Sequence, residues 1–373
     1  MRLDIAKRVF QLHGVDAAGK AGLRRKLQRS EVLAFFKALP PCLVGIEASG
    51  TAHYWAREIR ELGHEVRLMP PSYVAAYVKR GKTDAADAAA ICEAVTRPTM
   101  RFVPIKTAEQ QAVLMLHRTR DLLVRQRTML VNALRGHMAE LGVIAPQGIA
   151  RVAELMAVLS GEDTTKVPAL AREALRGLAA ELEALDRRVK EIEVAIVTWH
   201  KDNEASRRLA TIPGVGPITA SAIVATITDP FQFHSARHLA AWIGLVPRQH
   251  SSGGKQRQGG ISKQGDRYLR RLLVLGATAV IRHSRSKSTA EAGWLKSLLE
   301  RRPARLVSVA QANKTARIAW ALLVRGEAYR MCPSSGFLRQ GLGKLREALA
   351  HRCGAVRPPA GGAASDGWQW SVV

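Results

Sequence analysis

Four acidic residues in the first ninety positions are placed so that they could share one metal site. Asp4 lies in a pattern typical of a strand, and Glu47 ends the apolar run CLVGIE. Asp84 and Asp87 stand three apart in RGKTDAADAAAI. A carboxylate at the edge of a sheet is unfavourable unless it is solvated, paired or bound to a metal ion. If two adjacent strands and one helix bring the four acids together, two Mg²⁺ ions would relieve their repulsion and suit displacement at phosphorus.

The paired aspartates also have a simpler explanation. Thr83 is a suitable helix N-cap, and acids in the first turn of a helix are stabilised by exposed N–H groups and the macrodipole. For Asp84 and Asp87 taken alone, this is the better interpretation. The metal-site hypothesis depends on Asp4 and Glu47 converging on the same point. The strand, strand, helix order of the four acids is an RNase H-like pattern.

A glycine-rich loop far downstream supplies a second candidate site. In GLVPRQHSSGGKQRQGGISKQGDRYLRRLLV, residues 244–274, Ser251 and Ser252 precede two glycines. Glycines let the backbone approach a phosphate, and Arg and Lys neutralise it. A serine here could attack phosphorus if a base or metal activated it, but the residues alone favour serines that only donate hydrogen bonds to phosphate. The basic residues predicted to contact nucleic acid are Arg248, Lys255, Arg257, Lys263, Arg267 and Arg270.

The composition of the 373-residue chain favours a nucleic-acid partner. There are 57 Lys and Arg against 31 Asp and Glu, a formal charge of +26, and residues 240–330 hold 18 Lys and Arg against four acids. Such a charge favours a polyanion, because phosphate contacts release counterions. Apolar runs stay well short of the roughly 20 residues that span a bilayer. The N-terminus lacks the apolar core of a signal peptide, so we expect a cytoplasmic protein without a membrane partner.

Three regions with different patterns would position these residues. Residues 1–106 alternate strand and helix patterns, which predicts an α/β layer fold. Residues 107–205 hold two long amphipathic patterns, which predict an antiparallel helical pair, either a simple spacer or a dimerising coiled coil. Residues 206–332 are basic and helix-rich, and IPGVGPITASAIVATI is either a helix-hairpin-helix-like grip on nucleic acid or an ordinary helical corner. Residues 333–373 are predicted to be a disordered tail.

Several blocks together resemble one protein family. DIAKRVFQLHGVD, GIEASGTAHYWARE, VKRGKTDAADAAAI and RFVPIKTAEQQ are similar to the N-terminal domain of the IS110/IS1111 insertion-sequence transposases, which are RuvC-like DEDD recombinases. IPGVGPITA, LAAWIGLVPRQHSSGGKQRQGGISKQGDRYLRRLLV and ANKTARIAWALLVRGEAYR are similar to the C-terminal transposase domain. The resemblance runs from about residue 3 to about residue 330 and points to the IS1111 branch.

The resemblance implies a fold and a chemistry. Residues 1–106 would be an RNase H-like, RuvC-like catalytic domain, and residues 206–332 the transposase domain that carries the serine loop. The ligands of two Mg²⁺ ions would be Asp4, Glu47, Asp84 and Asp87. Ser252, or Ser251 in its place, would be the nucleophile of a covalent DNA intermediate.

The resemblance also implies partners. The substrates would be DNA of the element ends and of the target, with a non-coding guide RNA transcribed from the element. A homo-oligomer, a dimer or a tetramer, would combine domains of different subunits into one site at the bacterial nucleoid. Two features depart from the family pattern. Asp4 has only three residues before it, so either the first strand is short or the chain begins late, and residues beyond about 332 match nothing in the family.

Two other functions fit the same residues. One is a metal-dependent junction-resolving nuclease, in which metal-activated water attacks and the serines hold phosphate. The other is a non-catalytic nucleic-acid-binding protein, including an inactive copy of the enzyme, whose acids only cap helices. A covalent protein–DNA adduct would distinguish the transposase from both.

Overall fold

The computed structural model describes residues 1–5, 7–15, 21–74, 95, 100–148, 151–161, 166–251, 255, 257–284 and 290–330. The predicted tail, 333–373, lies outside these residues, as do Asp84, Asp87 and Ser252. Within the described ranges, we find no helix whose length and apolar character would let it cross a membrane.

The first hundred residues fold around a central sheet, which in the described part of the chain has five strands. These are β1 (Arg2–Asp4), β2 (Val9–Val15), β3 (Ala21–Gln28), β4 (Leu43–Glu47) and β5 (Glu65–Met69). The order across the sheet is β3-β2-β1-β4-β5. The first three strands are antiparallel neighbours, whereas β1, β4 and β5 run parallel. The α/β prediction is confirmed, and β1 is short.

The sequence pattern does not predict strand β3, because its many charges hide the alternation. Leu23 and Leu27 face the core and Leu27 is buried, while Arg24 and Lys26 point to solvent. β3 lies at the edge of the sheet. Charged side chains are tolerated there and discourage pairing with another chain.

Two helices cover one face of the sheet. They are α1 (Val32–Lys37) and α2 (Ala52–Glu61), and a one-turn helix α3 (Pro71–Val74) follows β5. Phe36 of α1 and Trp55 of α2 pack in one core with Leu3, Ile46 and Leu68 of the strands. This core fixes the sheet, and so the ends of its strands.

Two long helices follow, as the sequence predicts. α4 (Ala108–Glu140) and α6 (Ala169–Asp202) flank a shorter helix, α5 (Val152–Ser160). Arg120 pairs with Glu193 at 2.5 Å and Arg127 with Asp186 at 3.0 Å, so rising numbers on α4 meet falling numbers on α6. The pair is therefore antiparallel. Its role as a coiled coil of an assembly stays a prediction.

The last described region is helical. It comprises α7 (Glu204–Leu209), α8 (Pro217–Thr226), α9 (Ala236–Ile243), α10 (Arg267–Ser284), α11 (Ala290–Arg301) and α12 (Ala304–Arg325), with a hairpin of β6 (Pro247–Gln249) and β7 (Gln258–Ile261) between α9 and α10. Its core is formed mainly by α8, α9, α10 and α12, whose Ile223, Leu239, Leu269 and Ala312 are all buried. The hairpin itself projects from this core.

The turn between α7 and α8 packs inward. Gly214 has a φ of 81°, in the left-handed region that favours glycine. A Cβ added at Gly276 of α10 would overlap the carbonyl oxygen of Gly214. Gly216 is open, with no atom near the position that its Cβ would occupy. One glycine of this turn therefore serves helix packing, and a grip on nucleic acid stays a prediction.

Candidate active site

Asp4 and Glu47 end two neighbouring parallel strands. The register pairs Leu3 with Ile46, so the next residues, Asp4 and Glu47, lie side by side. Leu3 and Ile46 are fully buried in the core beneath α2. Because successive side chains on a strand alternate, the two carboxylates point to the opposite face, where both are half-buried. The structure thus brings together the two predicted site residues that lie on strands.

A later part of the chain packs on the same face as the acids. A Cβ added at Gly45 would lie 3.0 Å from Met69 Cε and 3.1 Å from Val95 Cγ2. Val95 therefore sits directly on β4, and Gly45 leaves the room for it. Arg67 on β5 also donates from Nη1 to the Val95 carbonyl at 3.2 Å. These contacts anchor Val95 on the face that carries Glu47.

Asp84 and Asp87 lie outside the described residues, so their part in a metal site stays a prediction. In sequence, Asp87 is eight residues before Val95, which the structure places on the acids' face. Among the residues that can be placed, no three His, Cys, Asp or Glu side chains are grouped to hold a metal ion. Asp4 and Glu47 are two of the four ligands that the sequence predicts.

The loop that follows Glu47 is conformationally constrained. Thr51 has a φ of 70°, in a region that β-branched residues rarely adopt. The Ser49 N–H donates to the Glu47 carbonyl at 2.8 Å, which tightens the start of the loop. Such backbone strain persists only where the surrounding structure holds it. The loop therefore sets the start of α2 close to the edge where the acids lie.

A cluster of basic side chains surrounds the first turns of α2. His53 Nδ1 accepts a hydrogen bond from the Lys106 N–H at 3.2 Å, and Arg57 Nη1 donates to the Lys106 carbonyl at 2.7 Å. Burial, followed by the charges of Lys106, Arg57 and Arg118, lowers the pKa of His53 to about 4. Burial, followed by Arg118, also lowers the pKa of Lys106. At neutral pH His53 is an uncharged acceptor within a positive cluster.

Ser251, the first serine of the predicted loop, follows strand β6 of the hairpin. The His250 N–H donates to the Arg257 carbonyl at 2.9 Å and closes the hairpin below the loop. Ser251 and Lys255 are exposed, and Ser252 lies outside the described residues. Five of the predicted cations are exposed on or beside this hairpin: Arg248, Lys255, Arg257, Lys263 and Arg267.

Arg270 differs from the other predicted nucleic-acid contacts. Its Nη1 donates to the Ile243 carbonyl at 2.7 Å and to the Gln264 carbonyl at 2.6 Å. Gly244, with a φ of 81°, packs so closely that an added Cβ would overlap the Gln264 backbone. Arg270 Nη1 therefore ties the base of the hairpin to the end of α9, and a phosphate contact by Arg270 stays a prediction.

Sequence reasoning missed a polar network that joins three helices. His117 of α4 is 1% exposed, with its Nδ1 3.1 Å from Tyr268 Oη on α10 and its Nε2 3.1 Å from Ser221 Oγ on α8. Burial, followed by the charge of Arg120, lowers the pKa of His117 to about 4. Burial raises the pKa of Tyr268. No local pattern signals this network, because His117 lies more than a hundred residues from both Ser221 and Tyr268.

Two family models match the chain and cover both candidate sites. A DEDD model of the IS110 type, described as Transposase, matches residues 3–142, and a model described as Transposase IS116/IS110/IS902 family matches residues 206–291. The first match contains the sheet and its acids, and the second contains the serine hairpin. The molecule is therefore a transposase, a class of protein that cleaves and rejoins DNA.

Curated relatives narrow the class to a family. The chain is 52% identical over 329 residues to a probable family 20 transposase of Pseudomonas aeruginosa, covering 88% of this chain and 97% of the relative. It is 44% identical over 329 residues to the transposase for insertion sequence element IS1111A of Coxiella burnetii, covering 88% of this chain and 90% of the relative. It is 40% identical over 327 residues to the transposase for element IS1328 of Yersinia enterocolitica, with 88% and 97% covered. The chain belongs to the IS110/IS116 family of insertion-sequence transposases, and the predicted resemblance is confirmed.

Proposed function

We propose that this transposase acts through a two-part site, in which Asp4, Glu47, Asp84 and Asp87 hold metal ions and Ser252 attacks DNA. The observation that carries the proposal is the placement of Asp4 beside Glu47 at the carboxyl ends of parallel strands. The order β3-β2-β1-β4-β5, with antiparallel strands leading into parallel ones, is that of an RNase H-like sheet and supports the same reading by analogy.

The donor set suits Mg²⁺, which prefers hard oxygen ligands. Asp4 and Glu47 supply two carboxylates on one face of the sheet. Val95 also lies on that face, and Asp84 and Asp87 precede it closely in sequence, so we include these two aspartates among the proposed metal ligands. Bound there, two Mg²⁺ ions would polarise a phosphate and activate the attacking oxygen. The chain's own contribution is to hold the carboxylates on a rigid edge backed by the buried core.

Ser252 would act as the nucleophile. Its Oγ would form a bond to the phosphorus of one strand while the bond from phosphorus to the leaving strand end breaks. Its hydroxyl proton would pass to a general base, because a serine hydroxyl is a weak nucleophile at neutral pH and needs activation. Ser251 is the alternative nucleophile. An exposed hairpin with an anchored base is well suited to present this loop to a second domain.

The second domain would come from another subunit. Met115, Leu122 and Met129 recur every seven residues along α4 and are 62%, 46% and 70% exposed. This spacing places an apolar stripe on one side of the helix, suited to a helix of another copy in a coiled coil. We assign the contact of a dimer, or of the dimers in a tetramer, to this stripe. The serine loop of one subunit would then reach the acids of its partner.

We infer the nucleic-acid partners from the positive charge of the chain and from the transposase family to which it belongs. The exposed cations of the hairpin would neutralise backbone phosphates of the element ends and the target. The chain's charge of +26 supports contact with more than one polyanion, and the second would be a non-coding guide RNA from the element. The enzyme would act at the bacterial nucleoid.

Trapping a covalent protein–DNA adduct tests this function. The protein is incubated with Mg²⁺, junction DNA of the element and the RNA that flanks it, and is then denatured. We expect an adduct from wild type and from Ser251→Ala. We expect none from Ser252→Ala, Asp4→Asn or Glu47→Gln, although all three should still bind DNA. Glu61→Gln, at an exposed position of α2, removes the same charge away from the site and should keep the adduct.

The other outcomes are equally informative. An adduct that survives Ser252→Ala but not Ser251→Ala moves the nucleophile by one residue. An adduct that survives loss of both serines ends the serine mechanism. Metal-dependent cleavage without any adduct favours the junction-resolving nuclease.

A further inference from the structure

A pocket of about 560 Å³ opens next to the start of α2. It is lined by the cations Lys7, Arg8 and Arg29 and by the rings of Tyr54 and Trp55. We call it the Trp55 pocket. None of the residues that line it is acidic. Its composition fits a ligand that carries both negative charge and a flat ring.

The pocket shares an edge of the sheet with the acids but lies on the other face. Lys7 and Arg8 follow the end of β1, and Arg29 follows the end of β3, which runs in the same direction as β1. The pocket is therefore at the edge where Asp4 ends β1. Trp55 belongs to the core under α1 and α2, whereas the acids face away from that core. The pocket is thus adjacent to the acids and separate from them.

One cation of the pocket, Arg29, is held in place by contacts other than ion pairs. The Arg29 guanidinium lies 5.1 Å from the centre of the Trp55 ring and 5.8 Å from that of Phe10. The Arg29 N–H donates to the Arg8 carbonyl at 2.9 Å, which joins the two segments. In the described part of the chain, Lys7, Arg8 and Arg29 form no salt bridge. Their charges are therefore available to an anion.

The aromatic side of the pocket has an exposed ring and a buried donor. Tyr54 is 40% exposed, and its ring meets that of Trp55 edge-on at 5.2 Å. Trp55 is 3% exposed, and its indole Nε1 is buried without a hydrogen-bond acceptor among the described residues. A buried donor of this kind is rare and costs free energy. Trp55 therefore forms a buried wall of the pocket, and Tyr54 is the ring that a ligand can reach.

We propose that the Trp55 pocket binds one unpaired nucleotide of the nucleic-acid strand on which the enzyme acts. Arg8 and Arg29 bind its phosphate, and its base stacks on Tyr54. The proposal rests on the proposed function for the nature of the substrate. A base must leave its pair to reach Tyr54, so the pocket distinguishes single strands from duplexes. The pocket thus holds the strand near the phosphate on which the proposed metal site acts.

Binding measured without divalent metal tests the proposal. Fluorescence anisotropy compares a short single-stranded oligonucleotide with its duplex. Stacking of one base contributes about 1–3 kcal/mol, so Tyr54→Ala should weaken single-strand binding about 5- to 150-fold and leave duplex affinity within about twofold. Tyr54→Phe keeps the ring and should bind like wild type. Arg29→Gln should reduce the salt slope by about one, and the matched control Arg60→Gln, exposed at the far end of α2, should not.

Photocrosslinking with a bromouracil-containing oligonucleotide locates the bound base. Cross-links should map to Tyr54 or Trp55. Unchanged single-strand affinity in Tyr54→Ala, equal losses for strand and duplex, or cross-links elsewhere would overturn the proposal. If Tyr54→Ala does not fold, Arg8→Gln and the cross-link map decide. A mononucleotide that competes as well as the oligonucleotide would reassign the pocket to free nucleotides and refute its role in holding a strand.

The two proposals fail in different ways. Asp4→Asn that keeps adduct formation would refute the metal site, while the binding measurements still decide the pocket. Tyr54→Ala with full single-strand binding would refute the pocket and leave the acids and the serine untouched.

Discussion

Acid should weaken the packing of three helices through His117. Because Ser221 Oγ donates to the Pro217 carbonyl at 2.7 Å, we assign the proton of the neutral imidazole to His117 Nε2, which then donates to Ser221. His117 Nδ1 is then the acceptor of the Tyr268 hydroxyl proton. The neutral imidazole satisfies both bonds. A second proton on the ring would turn this acceptor into a donor that faces the Tyr268 hydroxyl in a buried site.

The size of the effect follows from the pKa of His117. Burial, followed by Arg120, lowers it from the ordinary value of 6.5 to about 4. Each pKa unit corresponds to 1.36 kcal/mol, so protonating His117 costs about 3 kcal/mol more in the folded protein than in the unfolded chain. Above pH 6.5 His117 is neutral in both the folded and the unfolded state, so the free energy of unfolding has its full value. The free energy of unfolding decreases as the pH falls from 6.5 towards 4, because only the unfolded chain then binds the proton.

The assay is denaturant unfolding of wild type and His117→Gln between pH 7.5 and 4. Gln cannot take a proton, so the stability gap between the two proteins should shrink by about 3 kcal/mol over this range. His250→Gln, at an exposed position, should follow the wild-type profile. NMR of the His117 Cε1–H should show no titration above pH 5. A midpoint near 6.5, or a gap that does not change with pH, would refute the reasoning.

Three further predictions concern packing, assembly and binding. Gly276→Ala should lower the melting temperature sharply, because its Cβ overlaps the Gly214 carbonyl; an unchanged melting curve would contradict that packing. Leu122→Glu should break the assembly, so light scattering should give a smaller mass than for wild type, and an equal mass would exclude the stripe as the interface. Lys255→Gln and Arg257→Gln should each reduce the salt slope of DNA binding by about one, and two unchanged slopes would remove the hairpin from the phosphate contacts.

Local sequence patterns predict much of the fold. The strand pattern around Asp4 predicts β1, the short apolar run CLVGIE predicts β4, and the spaced apolar positions of residues 107–205 predict the long helices α4 and α6. These patterns involve only residues that are close in sequence, so they can be recognised without the tertiary structure. β3 escapes because an edge strand has one solvated face and needs few apolar residues. The glycine-rich sequence predicts a loop in this hairpin, whereas no sequence pattern indicates that Arg270 binds backbone carbonyls at its base.

Residue types and their spacing are enough to suggest the chemistry that we propose: acids at the ends of strand patterns, serines in a cationic glycine-rich loop, and a strongly positive charge. The position of Asp4 beside Glu47 depends on the fold, because a core shared by segments more than forty residues apart sets that register. The same holds for the Trp55 pocket and the His117 network. A residue's type is local information, but burial and partners come from segments far apart in sequence that close packing brings together.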